Sequence, residues 1–399
     1  MIRRVVGLTT SYPLHPDSCA GVFVRSLYRN LPTDWTVEVI CPDDDRSICH
    51  ADSDNLSIHR VRYAPRRWQQ LAQQSGGIVS GIRSAPLRIV LIPILLMALT
   101  LRSARVSRRA DLIHANWVLC GVIAVLVGRL RRVPVVMTLR GDDVTRASRS
   151  KLERWLLKFA VRGSRTVICV SSAMAEQMKA LFPQRAADIH VCLNGVDDAF
   201  FDVARPSSSL PDVNVAAVGS LIPRKGYETL IDAVGTMRHA EYVRVKIVGE
   251  GPLRAALLRR MSEKAVNNRF ELVGELPPKD IPAFLAKADV FVLSSLAEGR
   301  PNAVVEALAS GLPVISSRLP GVEGLVVDGQ NGWLTDASDA LALASALDQA
   351  VIDKDERCKR GIAARKMLRD LGQTWKDTGK RYAQLFDAAL LAKKGAVKG

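Results

Sequence analysis

The chain lacks most of the short signatures that announce a chemistry. It has no Gly-x-Ser-x-Gly elbow, no His-Glu-x-x-His pair and no Walker loop. The usual marks of an α/β-hydrolase, a zinc protease and a P-loop nucleotidase are therefore missing. Its seven cysteines (Cys19, Cys41, Cys49, Cys120, Cys169, Cys192 and Cys358) include no Cys-x-x-Cys pair. An odd count at irregular spacing speaks against a disulfide framework or a zinc site and fits reduced thiols in the cytoplasm. Aromatic residues make up only 5%, too few for the stacking sheet of a nucleic-acid binder. Met1 to Leu8 has too short an apolar part, and no cleavage site, for a signal peptide, and reads as a first strand. Acidic residues are missing altogether from Arg60 to Ala110, where ten arginines stand.

What is present is a basic, two-domain α/β chain. Its 399 residues carry a net charge of +16 and are 48% hydrophobic, enough for two cores and a field that favours anionic partners. Buried parallel strands are expected at Val5–Thr9, Thr36–Ile40, Leu112–His114, Val135–Leu139 and Val167–Val170, with helical patterns such as Val22–Leu31 and Leu152–Val161 between them. A second series runs through Val215–Val218, Arg244–Val248, Phe270–Val273, Val290–Leu293 and Val314–Ser316. Pro206 to Asp212 has linker composition. The expected division is a Rossmann-like domain over 1–205, a linker over 206–212, a second Rossmann-like domain over 213–374, and a C-terminal helix with a basic tail over 375–399.

Pro86 to Leu101 breaks the alternation. It is apolar apart from Arg88 and Thr100, and is shorter than the roughly 20 residues that span a bilayer. Bordered by Arg83, Arg102, Arg105, Arg108 and Arg109, the segment 83–109 suits the surface of an anionic membrane. A buried helix with solvated flanks is the alternative.

The richest stretch for chemistry is Glu298-Gly299-Arg300-Pro301-Asn302-Ala303-Val304-Val305-Glu306, with two carboxylates eight residues apart. It follows a strand and opens a helix closed by Gly311, which is where open α/β sheets bind ligands and where free backbone N–H groups receive phosphate. Gly219 to Gly226 makes a similar strand-to-helix loop, in which Arg224 and Lys225 could neutralise a pyrophosphate; a solvated basic turn is the plain alternative. Gly249-Glu250-Gly251-Pro252 could let backbone approach a base or ribose. Its third glycine position holds Arg254, which disfavours a hydride-transfer cofactor. In the first half, Pro13–Gly21, His114 and Thr138–Asp143 lie at strand ends, with His114 equally readable as a structural histidine. Asp142 and Asp143 have no companion ligands for a metal, and Asp43-Asp44-Asp45 reads as an exposed turn.

These residues resemble glycosyltransferase family 4, whose members have the GT-B fold: two Rossmann-like domains facing each other across a cleft, with a C-terminal helix, here near Trp375 to Leu391, that would cross back to the first domain. The resemblance rests on Glu298 to Glu306 with the trailing Gly311-Leu312-Pro313-Val314, on Val218 to Gly226, on Asn194-Gly195-Val196-Asp197, and on Asp328 to Gly332. Tyr12 to Arg25 and Leu139-Arg140-Gly141 are similar to a subgroup of teichuronic-acid and exopolysaccharide transferases. The resemblance implies a retaining, metal-independent transfer of a hexose-type sugar from a nucleotide-diphosphate sugar to a lipid-linked or polysaccharide acceptor, by a cytoplasmic protein on the inner face of the membrane. Glu298, Lys225 and Arg224 would serve the reacting centre. Gly219, Gly249, Gly251, Gly299, Arg300, Pro301, Asn302 and Glu306 would hold the donor, with Glu306 on the ribose. Gly21, His114, Arg140 and Asp143 would lie on the acceptor side. Ser220 stands where the family often has Arg, and Arg140 where it often has His, so a catalytic histidine at 140 is not available. Two other readings stay open: a sugar-nucleotide epimerase or phosphorylase-like enzyme, and a basic membrane- or nucleic-acid-binding protein.

Overall fold

The computed structural model describes residues 2–18, 20–47, 55–69, 86–140, 150–204 and 212–395. The chain forms two compact units, Met1–Gly195 with Trp375–Gly399, and Val196–Thr374. The crossing therefore falls at Gly195/Val196, ahead of the expected linker 206–212. The reason is local: Phe200 and Phe201, in a short helix Asp198–Phe201, are buried in the core of the second unit.

The first unit runs β1 (Arg3–Leu8), α1 (Val22–Arg29), β2 (Trp35–Pro42), β3 (Leu56–Val61), α2 (Leu91–Val106), β4 (Leu112–Asn116), α3 (Trp117–Arg131), β5 (Val135–Leu139), α4 (Lys151–Gly163), β6 (Thr166–Cys169), α5 (Ser172–Leu181) and β7 (Ile189–Val191). All seven strands are parallel in the order β3-β2-β1-β4-β5-β6-β7, so the winding reverses between β1 and β4. The inner strands are near-continuous apolar runs because helices cover both faces. Edge strands β3 and β7 were not expected. β3 alternates apolar with Ser, His and Arg, and β7 is only three residues long.

The second unit runs α6 (Asp198–Phe201), β8 (Val213–Val218), α7 (Tyr227–Thr236), β9 (Val243–Val248), α8 (Arg254–Glu263), β10 (Phe270–Gly274), α9 (Ile281–Ala286), β11 (Val290–Leu293), α10 (Asn302–Ala309), β12 (Val314–Ser317), β13 (Gly332–Thr335), α11 (Ala340–Ile352) and α12 (Lys354–Asp370). Its parallel sheet has the order β10-β9-β8-β11-β12-β13, with the reversal between β8 and β11. The last helix, α13 (Trp375–Gly395), belongs to the first unit, where Tyr382 and Phe386 are buried and Phe386 meets Trp35 edge-on at 5.5 Å.

Two expectations are corrected here. Asp44 is fully buried rather than exposed, its carboxylate held by Arg46 Nε at 2.9 Å. The apolar segment around α2 is longer than read, forming 22 helical residues from Arg88 to Arg109 that by length and composition could cross a membrane. Leu95, Leu99 and Ser103 are nevertheless buried, with the helix packed on β1, β2 and β3. Among the described residues no cluster of three or more His, Cys, Asp or Glu could hold a metal.

Candidate active site

The reversal between β8 and β11 brings their following loops side by side, and the backbones lock. Leu296 N–H donates to the Arg224 carbonyl at 2.8 Å, and the Ser294 hydroxyl donates to the Lys225 carbonyl at 3.1 Å. Gly226, at φ +60°, lets this happen, since a Cβ there would stand 2.1 Å from the Ser294 oxygen. The approach is too close for any side chain, and the left-handed backbone favours glycine independently.

This junction presents a charged clamp. Lys225 Nζ donates to Glu298 Oε1 at 2.7 Å, the Ser295 hydroxyl donates to the same oxygen at 2.8 Å, and an Arg224 nitrogen lies 3.8 Å from Oε2. The Glu298 side chain is only 7% exposed. A carboxylate this far out of water is costly unless paired and hydrogen-bonded, and here it is both.

Further glycines close the floor. A Cβ on Gly249 would stand 2.1 Å from the Gly219 oxygen, and one on Gly251 would stand 2.5 Å from the Leu221 oxygen. The loops after β8 and β9 thus touch backbone to backbone, and Leu221 N–H donates to the Glu250 carbonyl at 2.9 Å. The buried Tyr227 hydroxyl donates to the Gly219 carbonyl at 3.0 Å, and burial pushes this phenol well above its usual pKa. Arg254, in the position of the absent third glycine, pairs with Glu250 at 2.7 Å.

The stretch after Glu298 divides by function. A Cβ on Gly321 would meet the Glu298 oxygen at 2.3 Å, so the turn after β12 supports the loop from below. Pro301, the buried residue before α10, provides no side-chain cap to the helix that begins at Asn302, and the positive dipole end of that helix lies at the loop. Arg300 departs from expectation. Its guanidinium is largely buried and bonded to the Gln373 side chain, its Nε has no partner among the described residues, and burial lowers its pKa to about 10. It ties the loop to the end of the second unit instead of standing ready for a donor. Glu306, one turn into α10, is half-buried. Desolvation first, and the nearby Asp197 second, raise its carboxyl to about 7. No described residue hydrogen-bonds its carboxylate; its carbonyl accepts from the Ser310 N–H and hydroxyl.

The residues assigned to the first unit fare differently. His114 is fully buried in the middle of β4, which runs on to Asn116 instead of ending at the histidine, with Nδ1 2.9 Å from the Tyr28 hydroxyl and Nε2 2.8 Å from the Thr138 hydroxyl. Burial, then the Arg140 charge, hold its pKa well below the usual histidine value. It is a satisfied core histidine and lines no site. Gly21 starts α1 at φ +72°, and a Cβ there would meet the Ser11 oxygen at 2.6 Å, so its role is to shape the loop. Arg140 is held in place: Nη1 donates to Asn194 Oδ1 at 2.9 Å, Nε and Nη2 donate to Asn116 Oδ1 at 2.9 and 2.8 Å, and the guanidinium lies over the Phe23 ring at 4.7 Å. Gly141, Asp142 and Asp143 lie outside the described residues.

Sequence reasoning missed Ser295, Tyr227, Gly321 and Gln373. Only Gly321 carried a local signal, the Pro320-Gly321 turn after a strand.

Two parallel-sheet α/β units with the ligand-type junction at a strand reversal define the class: a GT-B fold. Solved structures agree on the architecture. A sucrose-phosphate synthase from Thermosynechococcus elongatus superposes with a TM-score of 0.75 at 22% identity, over 98% of this chain and 100% of that one. An Anabaena protein crystallised with UDP-glucose gives 0.74 at 19% identity, over 96% and 99%. The model for Glycosyltransferase Family 4 matches residues 20–200, and that for Glycosyl transferases group 1 matches 204–367. The chain belongs to the family 4 glycosyltransferases. Among curated relatives, a glycogen synthase of Mycobacterium tuberculosis is 28% identical over 72% of this chain and 70% of its own length. A lipopolysaccharide core biosynthesis glycosyltransferase of Rhizobium meliloti is 30% identical over 50% and 57%.

Proposed function

We propose that the protein transfers a hexose-type sugar, with retention of anomeric configuration, from a nucleotide-diphosphate sugar to a lipid-linked or polysaccharide acceptor in cell-envelope or exopolysaccharide synthesis. It would work in the cytoplasm, on the inner face of the membrane, without a metal ion. The observation that carries this reading is the Lys225–Glu298 pair, a cation and an anion 2.7 Å apart at the strand reversal.

Breaking a glycosidic bond to a diphosphate develops negative charge on the leaving oxygen and positive charge on the sugar. A fixed Lys225, with Arg224 beside it, suits the first, and Glu298 suits the second. The dipole of α10 adds to the stabilisation of phosphate. Glu298 acts here as an electrostatic partner and anchor for sugar hydroxyls. Glu306, whose carboxylate has no hydrogen-bond partner among the described residues, suits two ribose hydroxyls that would donate to its ionised form. In the resting site Lys225 is satisfied by Glu298, so an arriving diphosphate shares that cation and leaves Glu298 nearer to the sugar.

The test is a panel of nucleotide sugars with lipid-linked and oligosaccharide acceptors, the product linkage read by NMR. An α-linked product from an α-linked donor, unaffected by chelator, is expected. An inverted product, or full transfer rate by Glu298→Gln, would sink the assignment. Conversion of donor without any acceptor would favour an epimerase.

A further inference from the structure

In the first unit α3 packs between α2 and α4, so three helices lie side by side on the sheet. Their buried residues face the sheet, and their outward rows are apolar to an unusual degree. On α2 and the turn before it, Val90, Ile94, Met97 and Leu101 recur at helical spacing on the side away from buried Leu95 and Leu99, with Met97 59% exposed. On α3, Leu126 and Leu130 continue the face, Leu130 at 67% exposed. On α4, Leu152 and Trp155 do the same, Trp155 at 60% exposed.

The three rows are joined chemically. Arg131 Nε on α3 donates to the Ala104 carbonyl on α2 at 2.9 Å. Arg129 on α3 lies over the Phe159 ring of α4 at 5.2 Å, and Phe159 stacks with Trp155 at 5.9 Å. The charge is one-sided: the three helices carry eight bases (Arg102, Arg105, Arg129, Arg131, Lys151, Arg154, Lys158, Arg162) and a single acid, Glu153.

We propose that this three-helix face, and not the segment 83–109 alone, is a docking platform for an anionic lipid bilayer. Single exposed apolar residues need no explanation, but exposed apolar rows on three neighbouring helices do. The charge selects the occupant. A protein partner is bound by a mixed rim, whereas an apolar centre with basic residues and an interfacial tryptophan matches the headgroup region of an anionic leaflet. The geometry fixes the mode. The 22-residue helix Arg88–Arg109 has one face packed on the sheet, so it lies in the interface plane and does not span. The proposal deepens the envelope-transferase reading by naming its membrane-side surface, and its test is independent of catalysis.

The experiment is flotation of the full chain with phosphatidylcholine vesicles containing about 30% phosphatidylglycerol. Binding is expected, weaker by at least about tenfold on pure phosphatidylcholine or in about 1 M salt. Met97→Glu, Leu130→Glu and Trp155→Glu, one per helix, should each lower the partition by about tenfold or more with unchanged melting temperature, as befits exposed positions. No binding by the wild type overturns the proposal. A loss confined to Met97→Glu overturns the platform. A dimer in solution dissolved by the same substitutions, with vesicle binding intact, assigns the face to a second copy and also overturns it. Thermal shifts with nucleoside diphosphates run in parallel. Their failure with vesicle binding intact sinks the transferase reading alone, and the reverse sinks the docking platform alone.

Discussion

Lys225 and Glu298 are 73 residues apart in sequence and 2.7 Å apart in space, and their pairing sets what single substitutions should do. Lys225→Ala removes the leaving-group cation and strands a nearly buried carboxylate. A fall of about 10²-fold in kcat/KM is expected, with about 3 kcal/mol lost from the second unit, read by initial rates and denaturant melts. Ser295→Ala keeps the ion pair and removes one hydrogen bond to Glu298. Its expected cost is smaller, about tenfold in kcat, corresponding to roughly 1 kcal/mol, with donor KM little changed. Glu306 gives a prediction in pH. Its folded value of about 7 lies above the ordinary 4.5, so the folded state holds this proton more tightly than the unfolded chain. The stabilising contribution is complete below pH 4.5 and lost as pH rises through 7, an order of about 3 kcal/mol. Glu306→Gln should therefore raise the melting temperature above pH 8 and leave it nearly unchanged at pH 4.5. Ribose hydroxyls donate best to the ionised carboxylate. Nucleotide affinity of the wild type should accordingly rise between pH 6 and 8, and that of the Gln variant should stay flat. A flat wild-type profile in calorimetric titrations would remove Glu306 from the ribose site.

Among the elements, the strand-to-helix loops carry the site, and their contacts are made through backbone. Gly321 and Gly324 separate geometry from strain. A Cβ at Gly321 would press on the Glu298 oxygen at 2.3 Å, whereas Gly324, at φ +81°, has nothing within 4 Å. Gly321→Ala should push Glu298 out of register and lower kcat by about 10²-fold. Gly324→Ala should cost about 1 kcal/mol in stability through its backbone with near-normal turnover. Equal activity in the two variants would show that the turn after β12 does not support the loop. The same elements show what could be read from sequence. β8 and β11 are buried on both faces, so Val213–Val218 and Val290–Leu293 stand out as apolar runs, and the loops that follow them hold Lys225 and Glu298. That these loops touch depends on β8 neighbouring β11, which no local pattern encodes. Ser295 and Tyr227 look like ordinary residues until that neighbour is known. His114 failed in the opposite direction. Its strand was legible but not its end, since β4 runs on to Asn116; its two partners come from α1 and β5, and only tertiary packing turns a candidate ligand into a core residue.

For the whole molecule, the chain leaves the first unit at Gly195 and returns to it at Trp375, so the first core is completed last. Tyr382 reaches the Thr138 hydroxyl at 3.2 Å, which itself bonds His114, and Phe386 packs against His114 at 5.2 Å and Trp35 at 5.5 Å. Arg3 on β1 pairs with Asp34 at 3.0 Å and also with Asp387 of the returning helix. The resemblance implies that the helix over 375–399 crosses back to the first unit, but not that it fills a hole among residues as far as 244 positions earlier and more. Removing that plug should act on one unit only. Phe386→Ala deletes a fully buried ring, and such substitutions cost about 3–5 kcal/mol. A two-unit protein need not unfold in one step, so calorimetry on the variant should show the transition of the first unit lowered and that of the second unmoved. Nucleotide binding by the second unit should persist at temperatures where the first has lost its near-ultraviolet signal. If both transitions fall together by the same amount, the two units unfold as one cooperative body, and α13 stabilises the chain as a whole.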